Sequence, residues 1–327
     1  MRCTIHTNSQ DSNKDNNRTH TPMAPVTIHL VILNDEKSFL AALKNLSKDQ
    51  RPIYVGKAHH WTVQPEDLSV KALLGDDSRM IKWEYAILDH IVNSDDALAL
   101  PAGLAEHIKH KWSISAHVPP GMLEHYLSGA AERANPTGPT LPTGWSSIDH
   151  SGLDASIPPP DLVDSLALKS HAFGSDRKKD PPVVLKDFIR TFGTKHTGPI
   201  QMLNLDSCLP GQRPRFYDYI TAFQTSLGAR YGGAGLPLQN VTDWSSRATE
   251  GEMTIAEAER SVMGYGSAEG EKVGWEDTAL VWYPSIWHFG KLLDDPEYAE
   301  ADRKFKRGVL RDGPIMCCTE IVVGYAD

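Results

Sequence analysis

The chain has 327 residues, of which 40% are hydrophobic and 23% are charged, and these values predict two globular domains of ordinary size. Its formal net charge of -9 argues against a role in binding nucleic acid, because such binding needs a basic face that neutralises phosphates. The sequence also contains no run of about 18 apolar residues, which argues against a membrane span.

The cysteines and the first residues indicate the cellular compartment. The four cysteines, at positions 3, 208, 317 and 318, show neither C-x-x-C spacing nor the density of a disulfide scaffold. We therefore expect free thiols and a cytoplasmic location. Residues 1–24 are rich in Asn, Ser, Thr and His and lack the apolar core of a signal peptide, so they are predicted to be a disordered extension.

The first half of the chain alternates strand and helix patterns. β-branched and apolar runs predict strands, and apolar residues at a spacing of three or four predict helices. Strands are predicted at residues 26–33, 52–63, 80–88 and 111–118. Helices are predicted after Asp35, with an apolar stripe from Phe39 to Leu46, at 121–133, and at 104–108 as part of a helix. This order predicts a diverged ferredoxin-like βαββαβ domain over residues 25–133.

A change of composition marks the end of this domain. Residues 134–182 are rich in Pro, Gly, Ser and Thr and include three consecutive prolines at 158–160, which cannot continue a helix. We predict a linker that holds a short helix at residues 161–169.

The second half has clearer patterns. Strands are predicted at residues 199–205, 236–244, 278–283 and 315–323, and helices at 184–192, 215–230, after Ser285 and after Pro296. Ser285 is the expected N-cap of its helix. Because side chains alternate along a strand, Cys317 and Cys318 are expected on opposite faces of the last strand. Residues 183–327 are therefore predicted to form a second α+β domain.

Five landmarks occur in a fixed order within this second domain. They are Gly198-Pro199-Ile200-Gln201-Met202-Leu203-Asn204-Leu205, Tyr217 with Tyr219, Tyr231-Gly232-Gly233, Trp275-Glu276-Asp277 with Trp282-Tyr283-Pro284-Ser285, and Asp295-Pro296-Glu297-Tyr298. In these residues the domain resembles the domain of unknown function 1330 family, which belongs to the dimeric α/β-barrel superfamily. One departure is that such domains place an arginine about two turns after the tyrosine of the last landmark, whereas Lys304 to Arg307 give no clean match.

The resemblance implies an α+β fold in which ferredoxin-like antiparallel sheets carry helices on one face. The other face of such a sheet must be buried, so we expect two dimeric α/β-barrel-type halves stacked sheet to sheet. The chain would then be a monomer with an internal pseudo-dimer, or a homodimer. Superfamily members hold small aromatic or polyketide-like molecules between their sheets, so a small organic molecule is the expected partner.

Two histidines and several polar or aromatic residues of the second domain are the candidate site residues. His288 and His196 are the candidate catalytic bases, because histidine titrates near neutral pH. The substrate-binding candidates are Asn204, Tyr217, Trp282, Tyr283, Ser285 and Tyr298. Each histidine could instead be an ordinary surface residue, and each tyrosine could belong to the core.

No metal or cofactor is predicted. His59 and His60 are adjacent, and neighbouring residues on a strand face opposite ways, so they are not expected to bind one ion. His107 and His110 have helical spacing but lack further ligands. The sequence also contains no G-x-G-x-x-G motif and no P-loop lysine, which argues against a nucleotide cofactor.

Two main functional hypotheses follow. The first is a cofactor-independent enzyme of the isomerase, cyclase or decarboxylase type, which transfers protons on a substrate between the sheets. The alternative is a non-catalytic ligand-binding or assembly module with a filled interior. A third, a haem-binding relative, needs a histidine that faces the space between the sheets. The positions of Asn204, Tyr283 and His288 distinguish the first two hypotheses. The enzyme predicts that these side chains surround an open space, and the binding or assembly module predicts that they are packed apart.

Overall fold

The computed structural model describes residues 24–76, 79–90, 99–119, 121–134, 182–247, 264–265, 272–321 and 323. Most of the predicted extension, the linker with its short helix, and the stretch between Trp244 and Trp275 lie outside these residues. The proposed domain boundaries therefore stay predictions.

The first half of the chain supplies strands β1 to β6 and helices α1 to α5. The strands are β1 Ala24–Leu33, β2 Tyr54–Val63, β3 Gly75–Asp76, β4 Arg79–Met80, β5 Tyr85–His90 and β6 Ile108–Val118. The helices are α1 Glu36–Lys44, α2 Val70–Leu74, α3 Ala102–Ala105, α4 Met122–Ser128 and α5 Ala130–Ala134. The strand predicted at residues 80–88 was wrong in its bounds, because Trp83 lies outside the strands and is buried in the core beside β5.

The second half supplies α6 to α10 and β7 to β13. Its helices are α6 Pro182–Gly193, α7 Arg213–Ala222, α8 Gly228–Arg230, α9 Ile286–Asp294 and α10 Pro296–Phe305, with a π-helical turn Phe223–Leu227 between α7 and α8. Its strands are β7 Ile200–Cys208, β8 Ala234–Arg247, β9 Gly264–Tyr265, β10 Lys272–Val273, β11 Asp277–Tyr283, β12 Leu310–Asp312 and β13 Ile315–Glu320.

Aspartate side chains begin two of these helices. The Asp35 carboxylate accepts a hydrogen bond from the Ser38 amide at 2.7 Å at the start of α1, and Asp295 accepts from the Glu297 amide at 2.8 Å at the start of α10. Ser285 occupies the N-cap position of α9, as predicted, but its side chain makes no capping bond.

Eight of the strands close into one antiparallel barrel. Their order is β11-β8-β6-β1-β5-β2-β13-β7, and β7 pairs back onto β11. Within each half the strand order is second, third, first, fourth, which is the ferredoxin-like order. The halves join edge to edge at two seams, β6 with β8 and β2 with β13. The expected pair of stacked sheets is therefore a single closed barrel, in which these strands leave no open edge.

The barrel interior is filled by apolar side chains. Every second residue of a strand points inward, and all eight barrel strands contribute to one buried cluster. These inward residues include Val26, Ile28, Leu30, Tyr54, Ala58, Ala86, Leu88, Trp112, Ile114, Ala116, Val118, Leu203, Leu205, Leu236, Leu238, Leu280, Met316 and Cys318. Leu68 and Leu73, near α2, and Leu123 and Tyr126, in α4, also belong to this cluster.

The outer barrel surface is covered by helices. On the first half, α1 and α3 bury a cluster that includes Phe39 and Leu43, and on the second half α6, α7, α9 and α10 bury another that includes Phe216 and Trp287. Cys317 lies in this outer cluster whereas Cys318 lies in the barrel interior, which confirms that they face opposite ways. No helix among the described residues is long and apolar enough to cross a membrane.

A buried carboxylate ties the two halves together beside the second seam. Oδ2 of Asp312, at the end of β12, accepts hydrogen bonds from three consecutive amides of the first half, those of Glu66, Asp67 and Leu68, at 2.9–3.0 Å. Its Oδ1 accepts from the Gly313 amide. Without this carboxylate, four backbone amides would lose their acceptor.

We expect the substitution Asp312→Ala to lower the free energy of unfolding by about 2–4 kcal/mol, because buried donors that lose a charged acceptor keep their desolvation cost. Asp67→Asn is the control, since Asp67 is half exposed and its 3.5 Å ion pair with Arg311 should contribute little. Urea denaturation of the purified variants measures both effects. Equal stability of the two variants would contradict this assignment.

Candidate functional site

A pocket lies on the outer face of the second half, between α7 and strands β8 and β11. It encloses about 50 Å³. The helix side is formed by Phe216, Tyr217, Ile220, Phe223 and Gln224, and the sheet side by Asp206, Gly235, Pro237, Leu238, Gln239, Asp277, Thr278, Ala279 and Val281. The lining is mostly apolar, with a few polar groups, which is the usual composition of a small-molecule site.

The helix side depends on an irregular turn. Phe223 and Gln224 lie in the π-helical turn Phe223–Leu227, and such turns are frequent at functional sites. A Cβ atom on Gly228 would lie 2.5 Å from the Phe223 ring, so the ring packs where only glycine leaves room. Gln224 is exposed and Tyr217 is half-buried, which places the opening of the pocket on this side.

The sheet side carries a pair of carboxyl groups. Asp206 and Asp277 are directly opposite each other on the antiparallel strands β7 and β11, where two like charges destabilise one another. Asp277 is neutralised, because Arg213 donates to its two oxygens at 2.8 and 2.7 Å and the Tyr217 hydroxyl donates at 3.2 Å. In the part of the chain that the structure describes, no donor reaches the Asp206 carboxyl group.

The environment of Asp206 changes how readily its carboxyl group holds a proton. Burial, followed by the charges of Asp277 and Asp312, raises the pKa of Asp206 to about 7, although Lys306 opposes this change. Asp206 is therefore partly protonated at neutral pH, beside an ion-paired carboxylate. Such a pair is typical of acid–base sites, although ion-pair networks without any catalytic role produce similar shifts.

A buried lysine lies behind the pocket wall. The Lys306 ammonium lies 3.1 Å from the Tyr298 hydroxyl, 3.3 Å from Asp302 and 4.4 Å from the centre of the Tyr219 ring. Lys306 follows Tyr298 by eight residues in the chain. The positive charge of Lys306 lowers the pKa of Asp206 and so opposes part of the effect of burial.

The structure distributes the predicted substrate-binding residues over several places. Tyr217 lines the pocket. The Asn204 amide lies on the same sheet face and donates to the Met202 carbonyl at 2.9 Å, while its cross-strand partner Ala279 lines the pocket. Tyr283 and Tyr298 are buried in the helix–sheet core, and Trp282 donates to the Arg133 carbonyl at the other end of β11.

The predicted catalytic histidines do not line this pocket. His288 is buried in α9, its Nδ1 lies 2.9 Å from the Ser285 hydroxyl, and burial lowers its pKa to about 4. His196 lies beside the Phe192 ring, and its Nε2 is 3.0 Å from the Pro199 carbonyl oxygen. Asn204, Tyr283 and His288 are thus packed apart and do not surround one open space.

His59 and His60 differ from the expectation. The register of β2 shifts here, because His60 pairs with Cys317 whereas Ala58 pairs with Cys318, which leaves His59 as the extra residue. Both rings contact α6: His60 stacks on Phe188, and His59 lies against Phe192. The expectation of opposite faces was wrong because this β-bulge inserts one extra residue. Within the described ranges, no three His, Cys, Asp or Glu side chains are placed to hold a metal ion.

The sequence interpretation missed Asp206 and Asp277. Asp206 follows Asn204 by two residues in β7, so both project from the same face, and this spacing was a usable signal. Asp277 was noticed only as part of a landmark. The pairing of the two carboxyl groups depends on the register of β7 with β11, which no local pattern determines.

The chain matches no known family in sequence, and no curated protein is similar to it. Among solved structures, a protein of unknown function from Rhodopseudomonas palustris is 20% identical, with 38% of this chain and 83% of that chain covered and a TM-score of 0.24. A candidate monooxygenase from Lactobacillus acidophilus NCFM is 10% identical, with 91% and 94% covered and a TM-score of 0.39.

A dye-decolorizing peroxidase in complex with cyanide is also 10% identical, with 91% of this chain and 94% of that chain covered and a TM-score of 0.32. All three TM-scores are below 0.5. The description of the fold therefore depends on the strand order and pairing of this chain, and membership of the domain of unknown function 1330 family stays a prediction.

We expect the substitution Asp206→Asn to change how stability depends on pH. The pKa of Asp206 is higher in the folded chain than its ordinary value of 3.8, so the folded state holds a proton that the unfolded state releases. The stabilisation of the folded state by this proton is complete below pH 3.8 and is lost as the pH rises to about 7. The free energy of unfolding falls by up to about 1.4 kcal/mol per pH unit over this range.

Urea denaturation between pH 4 and pH 8 measures this effect. The Asp206→Asn variant should gain stability relative to the wild type as the pH rises, whereas Asp218→Asn, an exposed change on α7, should follow the wild type. If the two variants have the same pH dependence, Asp206 does not carry a raised pKa.

Proposed function

We propose that this chain binds a small, mostly apolar organic molecule in the pocket between α7, β8 and β11. The observation that carries the proposal is the pocket itself, in which an apolar lining surrounds a carboxyl group without a hydrogen-bond donor. The space between the two sheets, where the resemblance led us to expect the substrate, is occupied by side chains from all eight barrel strands.

The size of the pocket limits the ligand. Its volume of about 50 Å³ is well below the roughly 300 Å³ at which sites for drug-sized molecules begin. A ligand of a few non-hydrogen atoms suits this space better than an aromatic polyketide. Larger molecules would need movement of Gln224 or Tyr217 at the opening.

Proton transfer on the bound molecule is a second candidate function. It is favoured by the carboxyl pair, because a pKa of about 7 lets Asp206 both give and accept a proton near neutral pH. In this proposal Asp206 takes the part that the sequence suggested for His288 or His196. The non-catalytic binding module stays the simpler function, since it requires only the pocket.

The closed barrel also bears on the expected oligomer. Both ferredoxin-like units come from one chain, and each covers the inner face of the other. We therefore propose a monomer with an internal pseudo-dimer, because neither sheet needs a second chain to bury its inner face. A cytoplasmic location stays a prediction from the sequence.

The pocket can be blocked by one substitution. Gly235 lines it, and a Cβ atom there would meet only Val281, at 3.8 Å, so Gly235→Leu should direct a side chain into the space. In an NMR titration with n-butanol, we expect the wild type to show shifts around Phe216, Phe223 and Ala279, and the variant to lose them.

Ala234→Leu is the matched control, because Ala234 is the exposed neighbour on the same strand and does not line the pocket. It should keep the response of the wild type. Shifts that persist in Gly235→Leu, or that occur elsewhere in the barrel, would overturn the proposed site.

A further inference from the structure

The charges around the pocket are unbalanced. Asp206 interacts electrostatically with both Asp277 and Asp312, and the cations beside these groups are Arg213 and Lys306. Each cation is already engaged, since Arg213 pairs with Asp277 and Lys306 lies 3.3 Å from Asp302. The Glu276 carboxylate also interacts with Arg213. Five carboxyl groups, of Asp206, Asp277, Asp302, Asp312 and Glu276, thus lie around two cations, which leaves this region of the described chain acidic.

Asp206 is the carboxyl group of this region that lacks a direct partner among the described residues. Asp206 is only 9% exposed and lines the pocket, but no hydrogen-bond donor among the described residues reaches its carboxyl group. Burying an ionised carboxylate without a partner is costly. A ligand that brings a positive charge would remove this cost, whereas an anionic ligand would increase it.

The apolar part of the lining also suits a cation. Phe216 and Phe223 line the pocket from the helix side, and Tyr217 lies at its opening. Aromatic faces attract an ammonium group, most strongly where water is excluded. Ile220, Ala279 and Val281 provide surface for an alkyl chain.

We propose that the ligand of this pocket is a small primary amine, whose ammonium group pairs with the Asp206 carboxylate while its apolar body packs against Phe216, Ile220 and Phe223. This inference rests on the proposed function and specifies the chemical class of its ligand. The ammonium group would pair with Asp206 as the Arg213 guanidinium pairs with Asp277.

The proposal implies a dependence on pH. An ammonium ion favours the ionised form of Asp206, so below the pKa of about 7 the carboxyl group must release a proton when the amine binds. The other charged groups near it are Asp277 on β11, Arg213 on α7, Lys306 after α10 and Asp312 on β12. We expect the affinity for the amine to fall about tenfold from pH 8 to pH 6.

NMR titrations of the full chain with n-butylamine and n-butanol test this, because the two probes have the same size and differ in charge. At pH 8 we expect n-butylamine to bind at least about tenfold more tightly. The Asp206→Asn variant should lose this preference but still bind n-butanol, whereas the exposed change Asp218→Asn should keep it.

The possible failures are distinguishable. If n-butanol shifts the pocket residues at least as strongly as n-butylamine at pH 8, the amine inference is wrong and the proposed pocket stands. If neither probe shifts them, both proposals are wrong. Should Asp206→Asn fail to fold, the comparison of the two probes and of the two pH values in the wild type still decides the question.

Discussion

The structure depends on the closure of its antiparallel barrel within one chain. Each barrel strand has a hydrogen-bonded neighbour on both sides, and the last gap is closed by the pairing of β7 with β11. Closure satisfies the backbone groups that an open edge would expose. It also requires that the inward side chains fill the enclosed space, which Trp112, Tyr54 and the surrounding aliphatic residues do.

The candidate site lies outside the barrel. Since the interior is packed, the described pocket lies where a helix rests on the outer sheet face and the contact between the two is incomplete. The π-helical turn that follows α7 supplies part of the lining, and the small residues Gly235 and Ala279 leave space open on the strands beneath the helix. The same helix supplies Arg213, so the element that leaves the space open also neutralises Asp277.

Electrostatics gives this pocket its chemical character. The pairing of β7 with β11 places two carboxyl groups side by side, and among the described residues only one of them has a direct cationic partner. Burial then acts on the other, raises its pKa and makes it the group most able to respond to a ligand. His288 is buried in α9, where a proton is costly, and burial lowers its pKa to about 4.

Local patterns were sufficient for the elements of the fold, because apolar periodicity and turn residues depend on near neighbours in sequence. They predicted most strands of both halves, the helix that begins at Ser285 and the opposite faces of Cys317 and Cys318. They failed for His59 and His60, since a β-bulge forms against a partner strand more than 250 residues away.

The sequence by itself determined the α+β class, the ferredoxin-like element order and the acidic, thiol-containing composition. Only the tertiary structure decided that the two sheets close into one barrel, that its interior is filled, and that Asp206 faces Asp277 beneath α7. Those features depend on strand register and on contacts between helices and strands that are distant in sequence. A local sequence pattern does not report the energies of such contacts.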